Sequence, residues 1–268
     1  MNMKPDFPRD GVVREFAKEK LHVLEYENRD LLGRSAAGAV ADLMRRVIGE
    51  KGGVRMVFAS AMSQVDFLKY LGEERDIEWT KVTAFHLDDY VDFPADHPQS
   101  FSRFLIDRLF SRTPGVDFRP VNSEARDPEA ECRRYSSLLT AAAIDIMILG
   151  IGESGHLAFI DPPYCDFNDP ETFKLTELDE RSREQMIHDG CFARIEEVPR
   201  RAYTMTVPAC LGGAFTAVIV PTKLKAPTIK AVLEGPITTE VPASILRTQE
   251  NAWLLLDRDS AGRLTAIS

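Results

Sequence analysis

Residues 141–156 read AAAIDIMILGIGESGH, an almost unbroken apolar run that gives way to three closely spaced glycines and a histidine. Upstream, Asp127-Pro128 sets an N-cap acid before a proline at the first helical position, which predicts a helix to about Ala143. The run Ile144–Gly150 is short, apolar at successive positions and closed by glycine. Such a segment reads as a strand covered on both faces, where alternate side chains enter two different cores.

The same helix, buried strand and polar loop recur outward from this point. Residues 21–26 (LHVLEY) read as extended. From Asn28, an N-cap residue, Leu32, Ala36, Val40, Leu43 and Val47 follow helical spacing until Gly52-Gly53 stops it, and the apolar strand Val54–Ala59 comes next. A helix over Gln64–Leu71, a strand over Trp79–Leu87 and a helix over Ser100–Phe110 continue the alternation. Further strands are expected at Ala202–Val207, Ala214–Val220 and Ala252–Asp257. Apolar strands separated by helices predict an α/β fold, a mainly parallel, Rossmann-like sheet with helices on both faces, whose ligands bind beyond the carboxyl ends of the strands. Ile160–Arg200 breaks the pattern with Pro162-Pro163, charged clusters and weak periodicity. It is expected to be a partly ordered lid within a single domain spanning residues 1–268.

Composition narrows the function classes. The chain has 42 acidic and 33 basic side chains among 268 residues, for a formal charge of −9, and no segregated basic patch. An acidic surface repels phosphate backbones, so neither nucleic acid nor an anionic membrane is an expected partner. Cys132, Cys165, Cys191 and Cys210 form no CxxC pair and show no zinc spacing, so no metal is expected. The opening MNMKPDFPRD lacks an apolar targeting core, and nowhere do about 18 apolar residues run together. A cytoplasmic protein with reduced thiols is the expectation. The oligomeric state, a homo-oligomer included, stays open.

Three strand-end loops could carry chemistry. In Phe85-His86-Leu87-Asp88-Asp89-Tyr90 a strand runs into two carboxylates, one of which suits a general base if partial burial raises its basicity. On an extended segment Asp89 would face away from Asp88 and tolerate replacement better. In Gly150-Ile151-Gly152-Glu153-Ser154-Gly155-His156 the glycines free the backbone to approach a ligand, and the histidine can exchange protons near neutral pH. This is no dinucleotide fingerprint, because LAFIDPP does not open a long helix. Ser60-Ala61-Met62-Ser63, with Lys223 and Lys225 after a later strand, could cradle a phosphate. Solvated turns, a helix cap and a structural histidine explain the same residues, and the residues alone leave both readings open.

Together, FHLDDYVDFPADHPQSF (85–101), GIGESGHLAFIDPP (150–163) and VLEGPIT (232–238) resemble the glucosamine-6-phosphate deaminase family, in its order and at about its spacing. Its superfamily also holds 6-phosphogluconolactonases and ribose-5-phosphate isomerase. The resemblance runs from about Leu21 to Asp257 and implies a cofactor-free reaction on an amino-sugar phosphate: ring opening, aldose-to-ketose isomerisation and loss of ammonia. It implies that Asp88 moves a proton between C2 and C1, that His156 exchanges a proton with the ring oxygen, and that Asp161 stands for the family's supporting glutamate. Lys225 and Ser60–Ser63 fall on its phosphate site, and Gly150 and Gly152 line the substrate.

Departures from the family pattern sharpen the question. Ser154 stands where the family usually has the aspartate that partners the histidine, so either Asp161 serves both purposes or ring opening is slow. Ala61 and Met62 replace the two glycines of the phosphate loop. The lid arginine aligns near Met186, with Arg181 and Arg183 close enough in sequence to substitute. A sugar-phosphate-binding sensor that has lost turnover and a lactone hydrolase using His156 to activate water are the alternative readings.

Overall fold

The computed structural model describes residues 3–265. In chain order its strands and helices are β1 (Val12–Lys18), β2 (Leu21–Tyr26), α1 (Arg29–Lys51), β3 (Val54–Phe58), α2 (Val65–Leu71), β4 (Val82–His86), β5 (Asp88–Tyr90), α3 (Phe101–Arg108), β6 (Asp117–Phe118), α4 (Pro128–Thr140), β7 (Ile146–Leu149), β8 (Phe173–Glu177), α5 (Glu180–His188), β9 (Arg201–Met205), α6 (Val207–Cys210), β10 (Phe215–Val220), α7 (Ala226–Glu234), β11 (Ala252–Asp257) and α8 (Arg258–Ala261). Eight strands form one sheet in the order β1-β2-β11-β10-β7-β3-β4-β6. Every neighbouring pair is parallel except β1 with β2 at the edge.

The apolar strands divide their side chains between two cores. On β7, Ile146 and Ile148 join the cluster under α1 and α2, whereas Met147 and Leu149 join the one that includes Tyr135 and Leu139 of α4 and Ile229, Val232 and Leu233 of α7. Ala217 and Ile219 of β10 enter the first cluster and Val218 and Val220 the second. A period of two with both faces buried is what turns alternation into a continuous apolar run. Helix α1 obeys its sequence signals: the Asn28 side chain accepts from the amide of Leu31, and Gly52 closes the helix at φ 79°.

Several expected boundaries shift. Trp79–Lys81 is a 3-10 turn, and the strand begins only at Val82. The expected strand over Ala202–Val207 is β9, Arg201–Met205, and it does not join the parallel sheet. It lies between β5 and β8 in a separate three-stranded antiparallel sheet. The 160–200 stretch, expected to be partly ordered, carries β8 and α5. Its periodicity is weak because β8 is only half covered and α5 buries one narrow face. Strand β1, exposed on alternate residues at the sheet edge, has no counterpart in the sequence reading.

Asp89 also departs from expectation. It is fully buried, and its carboxylate accepts from the amides of Tyr90 (2.9 Å), Phe101 (3.2 Å) and Ser102 (3.2 Å) and from the Ser100 hydroxyl (3.3 Å). It thereby ties β5 to the first turn of α3, so facing away from Asp88 makes it structural and not dispensable. Asp89→Ala is expected to cost roughly 1–3 kcal/mol in urea unfolding, because several buried donors lose their acceptor. The exposed Asp96→Ala should stay within about 0.5 kcal/mol of the parent. Equal midpoints for the two variants would remove Asp89 from this role.

Candidate active site

Strands β10, β7, β3 and β4 are neighbours in the sheet, and each ends in a loop that enters one cavity of about 680 Å³. Beyond β3 come Ser60–Ser63, beyond β4 Leu87 and Asp88, beyond β7 Gly150–Gly152 and His156, and beyond β10 Pro221, Thr222 and Lys225. Parallel strands covered on both faces can release polar residues only at their ends, so adjacent strands gather their loops at one edge. Helix α5 supplies the facing wall with Gln185, Met186 and His188, and Asp189 to Cys191 follow it. The volume falls within the range of about 300–1,000 Å³ usual for small-ligand pockets.

Asp88 is buried, and it pairs across β5 and β9 with Thr204. Burial pushes its carboxyl well above the ordinary range, and the Asp89 charge pushes it further. Asp89 is itself raised by burial to about 6 despite its four donors. Such a shift turns a weak base into a stronger one, as proton abstraction from carbon requires. His86, the nearest histidine in sequence, is structural. It is fully buried, burial lowers it to about 3, and its Nε2 accepts from the Val121 amide at 2.9 Å.

His156 reaches the cavity because Gly152 lacks a side chain. A Cβ at Gly152 would lie 2.0 Å from the imidazole. Behind the ring stand Asp161 and two hydroxyls. His156 Nδ1 is 3.1 Å from Asp161 Oδ1, 2.9 Å from Ser154 Oγ and 2.8 Å from Ser182 Oγ. The hydroxyls of Ser154 and Ser182 donate to the same carboxylate oxygen at 3.0 and 2.6 Å, and the Asp179 amide donates to Oδ2 at 3.2 Å. Burial raises the Asp161 carboxyl, but His156, Ser182 and Ser154 outweigh it, and the net shift is downward. Asp161 therefore stays an anion behind the ring, and His156 Nε2, which has no hydrogen-bond partner among the described residues, is left for a ligand.

At the other end, Ser60 Oγ is buried and unpartnered among the described residues, and the Lys225 ammonium is buried with no hydrogen bond or ion pair among them. Burial lowers the lysine, and the carboxylates of Asp189 and Glu153 pull it back up. The missing glycines impose no strain on the serine loop. Ala61 is extended at φ −139°, and none of residues 60–63 has a positive φ. The strained residue is Thr222, at φ 87° and ψ 146°, a region rare for a β-branched side chain. Its amide donates to both oxygens of the buried Asp257, each at 3.1 Å, which holds the turn that delivers Lys225.

Of the residues singled out in the sequence, Ser60, Ala61, Met62, Ser63, Asp88, Gly150, Gly152, His156 and Lys225 line the cavity. Ser154 and Asp161 sit behind His156. Arg181 and Arg183 do not reach it. Arg181 points to solvent, while Arg183 is buried and donates to the carbonyls of Ile195 and Val198 (3.2 Å), fastening the lid to itself. Ser182, Gln185, Asp189 and Thr222 went unnoticed in the sequence. Asp179, an N-cap, opens a helix whose positions 182, 185, 186 and 189 share one face, a signal that was there to read.

The sequence matches the family described as glucosamine-6-phosphate isomerases/6-phosphogluconolactonase over residues 27–255. It is 34% identical over 187 residues to a glucosamine-6-phosphate deaminase of Exiguobacterium sp. (strain ATCC BAA-1283 / AT1b), covering 70% of this chain and 72% of that one. Its structure resembles a monomeric glucosamine-6-phosphate deaminase with a TM-score of 0.81 at 28% identity, covering 90% of this chain and 99% of that one. A 6-phosphogluconolactonase of Trypanosoma brucei shares the fold with a TM-score of 0.75 at 16% identity, over 91% and 98% of the two chains.

The Gly152 contact yields a direct test. Gly152→Ala should displace the imidazole, whose Nε2 edge the new methyl would meet, and change the His156 ring resonances in an NMR spectrum. Unchanged resonances would mean that the loop yields and the ring does not.

Proposed function

This chain belongs to the glucosamine-6-phosphate isomerase/6-phosphogluconolactonase family, and on that premise we propose that it is a cofactor-free glucosamine-6-phosphate deaminase, converting the amino-sugar phosphate to fructose 6-phosphate and ammonia. The observation that carries the reading is the pairing, in one cavity, of a carboxyl raised by burial with a histidine whose outer nitrogen is free. The chain forms one catalytic unit in which residues 160–200 close over the strand ends. The expected compartment is the cytoplasm, where the four free thiols stay reduced.

The chemistry follows from where the groups stand. His156 Nε2 takes the proton of the C1 hydroxyl and returns one to the ring oxygen, which opens the pyranose. The Asp161 anion behind Nδ1 steadies the imidazolium formed between these two transfers. Asp88 then removes the proton from C2 of the open-chain aldose and delivers it to C1, while one proton passes from the amino group to the C1 oxygen. This leaves a C1 hydroxymethyl group and a protonated imine at C2, which water hydrolyses to the ketose and ammonia. Burial suits Asp88 to the task because a raised carboxyl is a better base toward carbon. Lys225 and the unpartnered Ser60 hydroxyl receive the phosphate through charge-assisted hydrogen bonds.

Ammonia release from glucosamine 6-phosphate, compared with unphosphorylated glucosamine, is the deciding assay. Asp88→Asn should keep ligand binding and lose roughly 10²–10⁴ in turnover. Binding without turnover in the parent protein would favour the sensor, and faster hydrolysis of 6-phosphogluconolactone would favour the lactonase.

Two further outcomes follow. Lys225→Ala should weaken binding of the phosphorylated sugar by about 1.5–3 kcal/mol, measured by calorimetry, and leave the unphosphorylated sugar unaffected. An unchanged ratio of the two affinities would place the phosphate elsewhere. The base must be ionised to act, and both burial and Asp89 favour its protonated form. Hence kcat/KM should fall as the pH drops through a value well above that of an ordinary carboxylic acid, and a profile flat down to about pH 4 would contradict Asp88 as the base.

A further inference from the structure

The lid helix does more than wall the cavity, because it reaches behind the histidine as well as in front of it. Ser182, on the first turns of α5, is 1% exposed, and its hydroxyl lies 2.8 Å from His156 Nδ1 and 2.6 Å from Asp161 Oδ1. One turn on, Gln185 Oε1 accepts from the Glu153 amide at 2.7 Å, and beyond it His188 Nδ1 approaches the Glu153 carboxylate at 3.2 Å. These positions recur every three residues and so form a stripe along α5 that is stitched to the glycine loop carrying His156. At its start the helix is tied to Asp161 through the Asp179 amide.

The hydrogens in the cluster can be assigned by counting. Ser154 and Ser182 have one hydroxyl proton each, and the strongest nearby acceptor for both is the Asp161 anion. With those protons directed to Asp161, the serine oxygens offer only lone pairs toward His156 Nδ1. Nδ1 then faces three acceptor oxygens, at 2.8, 2.9 and 3.1 Å, and is stable there only as N–H. The unprotonated nitrogen of the neutral ring is accordingly Nε2, on the cavity side. Ser154 contributes this from the same loop as the histidine, but Ser182 contributes it from the lid.

We propose that Ser182 is a positioning residue through which seating of α5 holds the His156 imidazole, Nδ1–H inward, against Asp161, so that the proton-transfer unit is complete only when the lid helix is docked. The proposal deepens the deaminase reading and rests on it for its kinetic consequence, but not for its structural one. When α5 lifts, Asp161 loses the Ser182 hydroxyl and the Asp179 amide together. The imidazole then has one hydroxyl in place of two to hold Nδ1–H in place.

The test uses the full chain with ¹⁵N-labelled histidine. In the parent, at a pH where the ring is neutral, the His156 signals should show a single tautomer protonated at Nδ1. In Ser182→Ala, with Asp161 and Ser154 still facing Nδ1, the tautomer should persist but the ring signals should shift and broaden as the imidazole loses a restraint, with kcat on glucosamine 6-phosphate about 10-fold lower and KM within about twofold, since orienting a histidine acts on the reacting state more than on binding. In a His156→Asn background Ser182→Ala should cause no further loss, because the two act as one unit. Identical imidazole spectra in parent and Ser182→Ala, or a kcat loss that persists without His156, would overturn the proposal. The spectrum needs no substrate, so a parent protein inactive on the amino-sugar phosphate would refute the deaminase reading while leaving the Ser182 result to be judged separately.

Discussion

Burial of the central sheet on both faces is the constraint from which the rest of the molecule follows. Strands β3, β7, β10 and β11 have no solvent side, so their backbones can meet polar ligands only where the strands stop. Because β10, β7, β3 and β4 run parallel and adjacent, their carboxyl ends lie together, and a serine loop, a glycine loop, a carboxylate and a lysine turn arrive from distant parts of the sequence. The cavity is thus a consequence of strand order. The same order leaves β1 at one edge, separated from the site strands by β2 and β11, and β6 at the other, beside β4.

The electrostatics of the cavity follow from this burial. Removing Asp88, Asp89 and Lys225 from water penalises the charged form of each, but in opposite directions on the pH scale: the acids rise and the lysine falls. Asp89 spends its charge on the first turn of α3, which leaves Asp88 as the carboxylate that faces the cavity. Lys225 has only the more distant attraction of Asp189 and Glu153, and its side chain has no direct partner among the described residues, which leaves its charge open to an anion. Thr222 shows what holding that lysine costs: a β-branched residue is kept in a left-handed, extended conformation by a buried carboxylate. Strain of that kind persists only where the surrounding structure over-determines it.

The parts of this arrangement that were legible in the sequence are the local ones. The Asn28 cap, the Gly52 stop, Asp127-Pro128 and the apolar strands each state their conformation within a few residues. The loops at strand ends could be identified for the same reason. The antiparallel sheet of β5, β9 and β8 could not, since its strands are 3 to 5 residues long and each pairs across a large separation in sequence. Asp89 could not be separated from Asp88 by function, because period-two alternation tells that they face opposite ways but not which side holds α3. Arg181 and Arg183 looked like phosphate ligands by proximity in sequence, yet helical rotation turns Arg181 to water, and Arg183 is taken up by two backbone carbonyls. Ser182 was hidden for a related reason: a single serine in a polar segment carries no signal until the chain folds back over the 26 positions that separate it from His156.

Ser154, at the position where the family resemblance implies an aspartate, becomes intelligible once Ser182 is seen. Two carboxylates packed against one imidazole repel each other when buried, and one of them tends to take up a proton. A single carboxylate with two hydroxyl donors avoids that conflict. Asp161 stays ionised because Ser154, Ser182 and His156 all donate to it, and its lowered carboxyl records the outcome. What is given up is charge: one anion stabilises an imidazolium less than two. What is retained is orientation, because three acceptor oxygens still surround Nδ1. The cluster therefore keeps the orientation of the imidazole with a single anion, and it draws one of its two hydroxyls from the helix that walls the cavity. A cluster built this way ties the histidine to α5 more closely than a carboxylate on the histidine's own loop would.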